Sequence, residues 1–223
     1  IQFKLLTMKA FIVGSTGEVG KEVLRSLAAM SIYSSITAFN RRLVEYQDEE
    51  LKQRITQKVI DFDNINKDDF QGFDAGFCTL GTTRGKAGVE GFVKVDYDYV
   101  MHVARAAKDG NCQQFHFASS KGASANSMFL YTKTKGRVEE DLKILEFPRL
   151  CIYRPGLLIC QREESRPLEA ITRALSKFAD FNYWWSIPTS MVAKAMVANS
   201  LKEGKSVELL EQSDIIKLAR NSN

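Results

Sequence analysis

Short apolar runs alternate along the chain with segments in which apolar side chains recur every three or four residues. Short runs of this kind are typical of buried strands, and the longer spacing is typical of helices with one buried face. The predicted strands cover 9–13, 36–39, 56–60, 75–80, 114–119, 150–153 and 207–210, and the predicted helices cover 17–30, 89–108, 129–145, 168–178, 190–201 and the carboxyl end. This alternation predicts an α/β protein with a mostly parallel sheet covered by helices on both faces.

A chain of 223 residues has the length of one domain and can bury about 70–75% of its unfolded surface. Apolar residues make up 44% of the sequence and charged residues 26%, which are ordinary values for a globular protein. No repeat or linker divides the chain, so we expect a single domain over 1–223. The segment 161–190 is rich in charged and aromatic residues and departs from the alternation, which predicts a flap.

The net charge and the apolar runs argue against two classes of protein. A net charge of +4 suits a small anionic ligand but is too weak for a dedicated nucleic-acid-binding surface. No apolar run approaches the ~20 residues of a membrane span. The first residues, IQFKLLTMKAFIVG, show neither a cleavable signal peptide nor an Arg- and Ser-rich transit peptide. We therefore expect a cytoplasmic protein without direct nucleic-acid binding and without a membrane span.

Cysteine and histidine residues are few and widely spaced. The four cysteines include no C-x-x-C pair and lie mostly in apolar runs, which is typical of reduced thiols in a cytosolic protein. Neither His102 nor His116 has a partner at the spacing of metal ligands. We therefore expect no metal site and no histidine-based catalytic triad.

A glycine-rich stretch, AFIVGSTGEVGKEVL, lies between the first predicted strand and the first predicted helix. Its first glycine permits a tight turn, and the next two permit close approach of the backbone to a pyrophosphate and close packing of the helix. The helix N-terminus adds N–H groups and partial positive charge. The pattern predicts a Rossmann-type fold that binds a dinucleotide. The residues of this loop are Gly14, Ser15, Thr16, Gly17, Glu18, Val19 and Gly20.

An ATP-binding P-loop fails on spacing at the two places where its motif could be sought. The stretch 14–22 has Ser15 where the motif needs its first glycine, and Glu22 where it needs Ser or Thr. The stretch 81–88, GTTRGKAG, has its glycines one residue too close together. Ala87 also stands where the hydroxyl that binds magnesium belongs. ATP hydrolysis is therefore not expected at either place.

The end of the second predicted strand, FNRR at 39–42, lacks the acidic residue that NAD-binding proteins usually place on the adenosine ribose. A guanidinium from Arg41 could instead pair with a 2′-phosphate, which favours NADP(H). The alternative is that Arg41 and Arg42 are a solvated basic pair at a strand end. After the third strand, Asp61 could accept from the adenine amino group and Phe62 could pack against its ring.

The stretch YTKTK places Tyr131 one helical turn before Lys135, on the same helix face. A phenol is a poor proton donor or acceptor at neutral pH, and an ammonium beside it favours the phenolate. Ser119 and Ser120 lie upstream at the end of a predicted strand. Either could supply a hydroxyl to the site, or both could cap the strand end. Together with the glycine loop, this order predicts a proton-transfer site.

The glycine loop, the Ser-Ser pair and Y-x-x-x-K, in this order, resemble the short-chain dehydrogenase/reductases. More narrowly, several stretches resemble an atypical branch of that superfamily, the human HIV-Tat-interactive oxidoreductase family. These stretches are GFCTLGTTRGKAGVEGF, FASSKGA, YTKTKGRVEE, YRPGLLIC and REESRP. The resemblance extends from about residue 11 to residue 167 and thins over 168–223, so partner-binding surfaces there are not carried over.

The resemblance implies a role for each matching residue. Tyr131 would donate a proton, Ser120 would bind the substrate carbonyl, and Lys135 would bind the nicotinamide ribose and favour the phenolate. Arg41 would bind the 2′-phosphate. The other positions that would contact NADPH are the glycine loop, Leu80, Gly81, Leu158 and Arg166.

The resulting expectation is an NADPH-dependent oxidoreductase that reduces the carbonyl of a small substrate. The alternative is an NADPH-binding regulatory module whose main role is to bind protein partners. The resembling family is associated with regulatory and nuclear-transport roles, so the nucleus is a second expected location. A nucleotide-sugar epimerase is less favoured because no large C-terminal substrate domain is evident. Trp184 and Trp185 could line a substrate pocket or form a lid or an interface.

Overall fold

A computed structural model describes residues 7–160 and 185–222 of the chain. The strands in these residues are β1 (Met8–Val13), β2 (Tyr33–Asn40), β3 (Thr56–Val59), β4 (Ala75–Cys78), β5 (Gln114–Ala118), β6 (Arg149–Arg154), β7 (Leu157–Ile159), β8 (Ser186–Pro188) and β9 (Val207–Glu211). Seven of them form one sheet in the order β3-β2-β1-β4-β5-β6-β9, and every neighbouring pair is parallel. β7 and β8 form a separate parallel pair.

Helices connect the strands and cover the sheet. They are α1 (Glu18–Ala28), α2 (Glu49–Arg54), α3 (Arg84–Val93), α4 (Tyr99–Asp109), α5 (Leu130–Ile144), α6 (Thr189–Ser200) and α7 (Gln212–Arg220), with a short 3₁₀ helix at Lys67–Phe70 and a π-helical turn at Lys94–Asp98. None of the described helices is long and apolar enough to cross a membrane.

The central strand β1 is buried on both faces. Successive side chains of a strand point to opposite faces of the sheet. Ala10 and Ile12 accordingly join a core with apolar residues of α1, α6 and α7, whereas Phe11 and Val13 join a second core with residues of α4 and α5. This arrangement confirms the Rossmann-type doubly wound parallel sheet predicted from the alternation of apolar runs and amphipathic segments.

Most predicted elements match observed ones to within a few residues. The helix predicted over 89–108 is observed as one continuous helical stretch, with a π-helical turn at Lys94–Asp98 between the end of α3 and α4, and the kink at Gly88, with a φ of +71°, lies just before it. The short elements α2, β7 and β8 were not predicted. The helix predicted at 168–178 and most of the flap predicted at 161–190 lie outside the described residues. The last residues of that flap segment form β8 and the start of α6.

The strand order reverses at β1, which lies between β2 and β4. Ligands of doubly wound sheets bind outside the carboxyl ends of the strands at such a reversal. The glycine loop follows β1, Arg41 follows β2, Leu80 follows β4 and Ser120 follows β5. The topology therefore gathers the predicted site residues at one edge of the sheet.

The opposite edge of the sheet carries a buried polar network centred on Arg149, the first residue of β6. Its guanidinium forms an ion pair of 2.7 Å with Glu208 of β9. It also donates to the side-chain oxygen of Gln114 at 3.1 Å and to the main-chain oxygen of Asn199 at 2.8 Å. This network ties the amino ends of β5, β6 and β9 to the end of α6.

Candidate active site

The glycine loop begins in a conformation that favours glycine. Gly14 has a φ of +83°, and a Cβ atom on it would lie 2.8 Å from the backbone nitrogen of Leu80. A Cβ atom on Gly20 would lie 2.1 Å from the carbonyl oxygen of Gly14. Neither position has room for a side chain. The loop therefore lies directly against the segment that follows β4, with α1 packed closely behind it.

The other predicted loop residues divide between the surface and the core. Thr16 and Gly17 are exposed, and the Gly17 N–H donates to the Gly14 carbonyl at 3.0 Å. Val19 is buried in the core beneath the loop. Glu18, in the first turn of α1, pairs with Lys21 at 3.6 Å. The open part of the loop is thus its backbone around 16–17.

Ser15 is fully buried and does not offer its hydroxyl to a ligand. That hydroxyl donates to the side-chain oxygen of Asn40 at 2.7 Å and lies 3.1 Å from the Tyr46 hydroxyl. Asn40, the last residue of β2, is also buried, and its Nδ2 has no hydrogen-bond partner among the described residues. A buried amide donor without a partner is costly. Sequence reasoning missed Asn40, although the adjacent Arg41 was singled out.

Arg41 lines an open cleft of about 360 Å³ together with residues of β3 and the segment after it. The other lining residues are Val59, Ile60, Asp61, Phe62 and Tyr99. The cleft therefore brings together three of the residues assigned from sequence to the adenosine part of the cofactor. Arg41 itself is exposed at its edge.

Asp61 and Phe62 are held differently within this cleft. The two oxygens of Asp61 accept hydrogen bonds from the Asn64 side chain at 3.0 Å and the Asp63 N–H at 2.9 Å. The Asn64 bond, followed by the Asp63 bond, lowers the pKa of the Asp61 carboxyl. Phe62 is buried, and its ring centroid lies 5.2 Å from that of Tyr99. Asp61 thus orders its own loop, and Phe62 packs at the base of the cleft.

Helix α5 carries Tyr131 and Lys135 and packs closely on the loop that follows β5. A Cβ atom on Gly136 would lie 2.2 Å from the carbonyl carbon of Ser124, so only glycine permits this approach. Val138 and Leu142 bury the opposite side of the helix against the sheet. The helix is therefore fixed against both the core and the segment that contains Ser120.

Tyr131 and Lys135 lie one turn apart on α5 but differ sharply in exposure. Tyr131 is 45% exposed, and its ring lies 5.9 Å from that of Phe92. Lys135 is 3% exposed. Its ammonium lies 3.4 Å from the main-chain oxygen of Leu80 and 5.2 Å from the centroid of the Phe117 ring. The ammonium thus reaches from α5 to the ends of β4 and β5, as a residue at the floor of the site would.

Asp96, in the π-helical turn, is the partner of Lys135 that sequence reasoning missed. Its Oδ1 lies 2.9 Å from the Lys135 ammonium, and its Oδ2 accepts from the Thr82 N–H at 2.7 Å. A Cβ atom on Gly81 would lie 3.4 Å from the same Oδ1, so Gly81 lies directly over the ion pair. Burial raises the pKa of the neighbouring Cys78 thiol to about 12, so this thiol stays neutral.

The two serines after β5 have different partners. Ser119 is buried and donates to the carboxylate of Glu139 at 2.5 Å, and Arg154 binds that carboxylate as well. Ser120 is partly exposed, and its hydroxyl makes one long contact of 3.4 Å with the main-chain oxygen of Lys121. Of the two, Ser120 therefore has the hydroxyl that is open to a ligand.

Two further residues were assigned to the cofactor by resemblance. Leu158 lies in β7, pairs in register with Ile187 of β8 and is 38% exposed. It lies after the end of β6, beyond the same edge of the sheet as Ser120. Arg166 lies outside the described residues.

Comparisons with known proteins point to one family. No family model matches the chain. Protein HTATIP2 of Rattus norvegicus is 40% identical over 228 residues, which cover 99% of this chain and 93% of that protein. Protein FMP52-1, mitochondrial, of Scheffersomyces stipitis is 36% identical over 162 residues, covering 72% of each chain. Among solved structures, MoeE5 in complex with UDP-glucuronic acid and NAD has a TM-score of 0.70 at 13% identity, covering 91% of this chain and 75% of that one.

The sheet order, the glycine loop and the Tyr-Lys helix define an atypical short-chain dehydrogenase/reductase, and the likeness to MoeE5 supports the fold. The identity to rat HTATIP2 over nearly the whole chain shows that the protein belongs to the HTATIP2 family. The resemblance inferred from the sequence motifs is thereby confirmed.

The expected location is corrected by the same comparison. Several fungal relatives, including those of Scheffersomyces stipitis and Emericella nidulans, are named mitochondrial proteins. The prediction of a cytoplasmic protein that also enters the nucleus is therefore wrong. The cytoplasm was inferred from composition and from the lack of a transit pattern, and the nucleus from the family resemblance. Composition and net charge determine solubility and non-specific binding, which do not distinguish these compartments.

Proposed function

We propose that the protein is an NADPH-dependent oxidoreductase that reduces the carbonyl group of a small substrate. The observation that carries this proposal is the convergence at one sheet edge of the Lys135 ammonium, Leu80 and Gly81, with Tyr131 exposed one turn earlier on the same helix. The similar structure of MoeE5 is a complex with NAD, which supports a nicotinamide dinucleotide as the cofactor class.

The glycine loop fits the pyrophosphate of such a cofactor. Side chains are excluded at Gly14 and Gly20 by contacts of 2.8 Å and 2.1 Å, and Gly17 is the exposed N-cap of α1, where no side-chain cap occupies the N–H groups of the first turn in the described residues. Backbone N–H groups at a helix N-terminus bind phosphate groups without help from a side chain. These features support a phosphate-binding role for the loop backbone, with Ser15 and Val19 serving to hold the loop in place.

The end of β2 supports NADPH over NADH. Arg41 offers an exposed guanidinium, which pairs well with a phosphate group, and Asn40 offers an amide donor without a partner in the described residues. Both groups donate hydrogen bonds. An acidic residue in place of Asn40 would accept from ribose hydroxyls and would repel a 2′-phosphate.

Each residue of the site has a role in the proposed reaction. When bound, the nicotinamide ring supplies the hydride that reduces the carbonyl carbon. Tyr131 donates its phenolic proton to the carbonyl oxygen as general acid. Ser120 donates a hydrogen bond to the same oxygen, a contact that strengthens as negative charge develops there. Lys135 holds the ribose and favours the phenolate that Tyr131 becomes.

The alternative function, regulation of a protein partner by bound NADPH, shares the cofactor site and lacks the reaction. The exposed Tyr131 and the open Ser120 favour the enzyme, because the proposed reaction needs both hydroxyls to be accessible to a substrate. The two functions therefore differ in what a tyrosine variant does.

The test combines cofactor titration with a substrate panel. The wild-type protein should bind NADPH more tightly than NADH by calorimetry and should oxidise NADPH with at least one member of a panel of aldehydes, ketones and quinones. Tyr131→Phe should bind NADPH within a few-fold of wild type and lose turnover, since it removes one proton and little volume. NADPH binding with no turnover across the panel would favour the regulatory alternative. Turnover that survives in Tyr131→Phe would contradict the role of the tyrosine.

A further inference from the structure

The ion pair between Lys135 and Asp96 is the most deeply buried of those in the described residues. The two side chains are 4% and 1% exposed, and Nζ lies 2.9 Å from Oδ1. Nevertheless Oδ1 accepts no aligned hydrogen bond within the described part of the chain. The contact is thus held by charge more than by hydrogen-bond geometry.

We propose that Asp96 is a positioning residue for the reaction proposed above: its carboxylate is the counter-ion that holds the Lys135 ammonium in place at the floor of the site. The inference rests on the proposed function for its consequence and on the buried contact for its geometry. Asp96 touches neither Tyr131 nor the loop around Gly17 in the described contacts, so it acts through Lys135.

The carboxylate is anchored independently of the lysine. Its Oδ2 accepts from the backbone N–H of Thr82, at 2.7 Å, in the segment that follows Gly81. Its own backbone lies in the π-helical turn between α3 and α4, which packs against α5. Asp96 is therefore fixed from two sides, and the flexible Lys135 side chain is drawn to it.

Among the described residues around the Lys135 ammonium, Asp96 is the anion in contact with it. Cys78 of β4 is a neutral thiol, and Phe117 of β5 presents an aromatic ring. On α5 itself, the exposed Tyr131 lies one turn before Lys135. Glu139 lies one turn after it, and its carboxylate is bound by Arg154. Without Asp96 the Lys135 side chain should move more freely, because its other polar contact is the long hydrogen bond to Leu80.

The experiment compares Asp96→Asn with a matched control. Asp141→Asn also weakens a contact between the π-helical turn and α5, because the Asp141 carboxylate accepts from the Tyr97 hydroxyl at 2.6 Å, but it leaves Lys135 untouched. NADPH affinity is measured by fluorescence titration. Asp96→Asn should weaken binding by about tenfold, the scale of one charge-assisted hydrogen bond. Asp141→Asn should bind NADPH as tightly as wild type.

An NADPH affinity of Asp96→Asn equal to that of wild type would overturn the proposal, as would an equal loss of affinity in Asp141→Asn. A double-mutant cycle in the ligand-free protein tests the pair by a second route. Asp96→Asn and Lys135→Met should each lower the unfolding midpoint in urea. The double variant should be more stable than the sum of the single losses predicts. Strict additivity would overturn the pairing. This cycle tests the ion pair even if the wild-type protein binds neither NADPH nor NADH. Such a lack of binding would refute only the proposed function.

Discussion

Two buried ion pairs lie at opposite ends of the parallel strands, one at the amino ends (the amino edge) and one at the carboxyl ends (the carboxyl edge). The hydrogen-bonding capacity of their charged groups is filled to very different extents. At the amino edge, each nitrogen of the Arg149 guanidinium donates a hydrogen bond, to Glu208, Asn199 or Gln114 among others. At the carboxyl edge, Lys135 has one long hydrogen bond to Leu80 and an ion pair with Asp96, whose Oδ1 accepts no aligned hydrogen bond from the described residues.

This difference in hydrogen bonding distinguishes a structural network from a candidate binding site. A buried polar group that is fully hydrogen-bonded holds elements together, and it has no capacity left for a ligand. A buried charge with spare hydrogen-bonding capacity costs stability and is kept where it serves a further purpose. By this criterion the network at the amino edge is structural, whereas the ion pair at the carboxyl edge has hydrogen-bonding capacity left, as the proposed function requires.

The largest effect is expected from Arg149→Met. The change leaves Glu208 and several buried oxygens without their donor, and removing one partner of a buried pair costs about 3–5 kcal/mol. Urea denaturation should show that loss in the free energy of unfolding, while NADPH affinity of the folded protein stays unchanged. Lys202→Met, at an exposed position beside the network, is the control. A loss no greater than that of the control would show that the network is not a major source of stability.

A second effect at the amino edge should depend on pH. His116 is fully buried, with Nδ1 2.9 Å from the Tyr153 hydroxyl, and burial, followed by the charge of Arg149, lowers its pKa to about 3. Histidine in the unfolded chain titrates near 6.5, so as the pH falls the unfolded chain takes up this proton first. The stabilisation is complete above about pH 7 and is lost towards pH 3, by about 3 kcal/mol between pH 7 and pH 4.

The test is the slope of the free energy of unfolding against pH in His116→Asn. This variant can keep the contact with Tyr153 while removing the titrating ring, so its slope below pH 7 should be flatter than that of wild type. His102→Asn removes the other histidine and is the matched control. Parallel slopes for His116→Asn and wild type would show that His116 does not govern acid stability.

The smallest effect compares the two adjacent serines. Ser119→Ala removes a buried hydrogen bond to Glu139 and should lower the free energy of unfolding by about 1–2 kcal/mol. Ser120→Ala removes a single long contact and should change stability by less than about 0.5 kcal/mol, yet it should reduce turnover with any accepted substrate. Denaturation and steady-state kinetics measure the two effects. The reverse pattern would make Ser119 the residue that faces the substrate.

Local patterns predicted the fold and the outline of the site. The spacing of apolar residues in each strand and helix depends on neighbours in sequence. Gly14 and Gly20 are required by close contacts at the loop between β1 and α1, so the glycine pattern itself predicts this loop. The glycine loop and Ser120 each follow a strand, and α5 carries Tyr131 and Lys135 back over the sheet. They meet at the carboxyl edge because all parallel strands end on the same side of the sheet.

The missed residues depend on contacts between distant segments. Asp96 meets Lys135 only because a π-helical turn interrupts what apolar spacing predicts as one continuous helix. Asn40 becomes distinctive only when Ser15 is seen to occupy its oxygen and leave its amide nitrogen without a partner. Likewise, Ser119 and Ser120 look equivalent as a dipeptide, and only the position of Glu139 on α5 separates them.

The π-helical turn makes the site depend on the length of the chain as well as on its composition. Such a turn accommodates one residue more than an α-helix would, and it is uncommon because its backbone bonds are less favourable. Deleting Val95 from this turn would let α3 and α4 continue as regular helix, but it would rotate the residues before the gap by about 100° relative to those after it. Asp96 and α4 follow the gap, so they could keep their places only if α3 rotated and moved Phe92 away from Tyr131. A relative that lacks this residue would have a more regular helix and a different approach of α3 to the site.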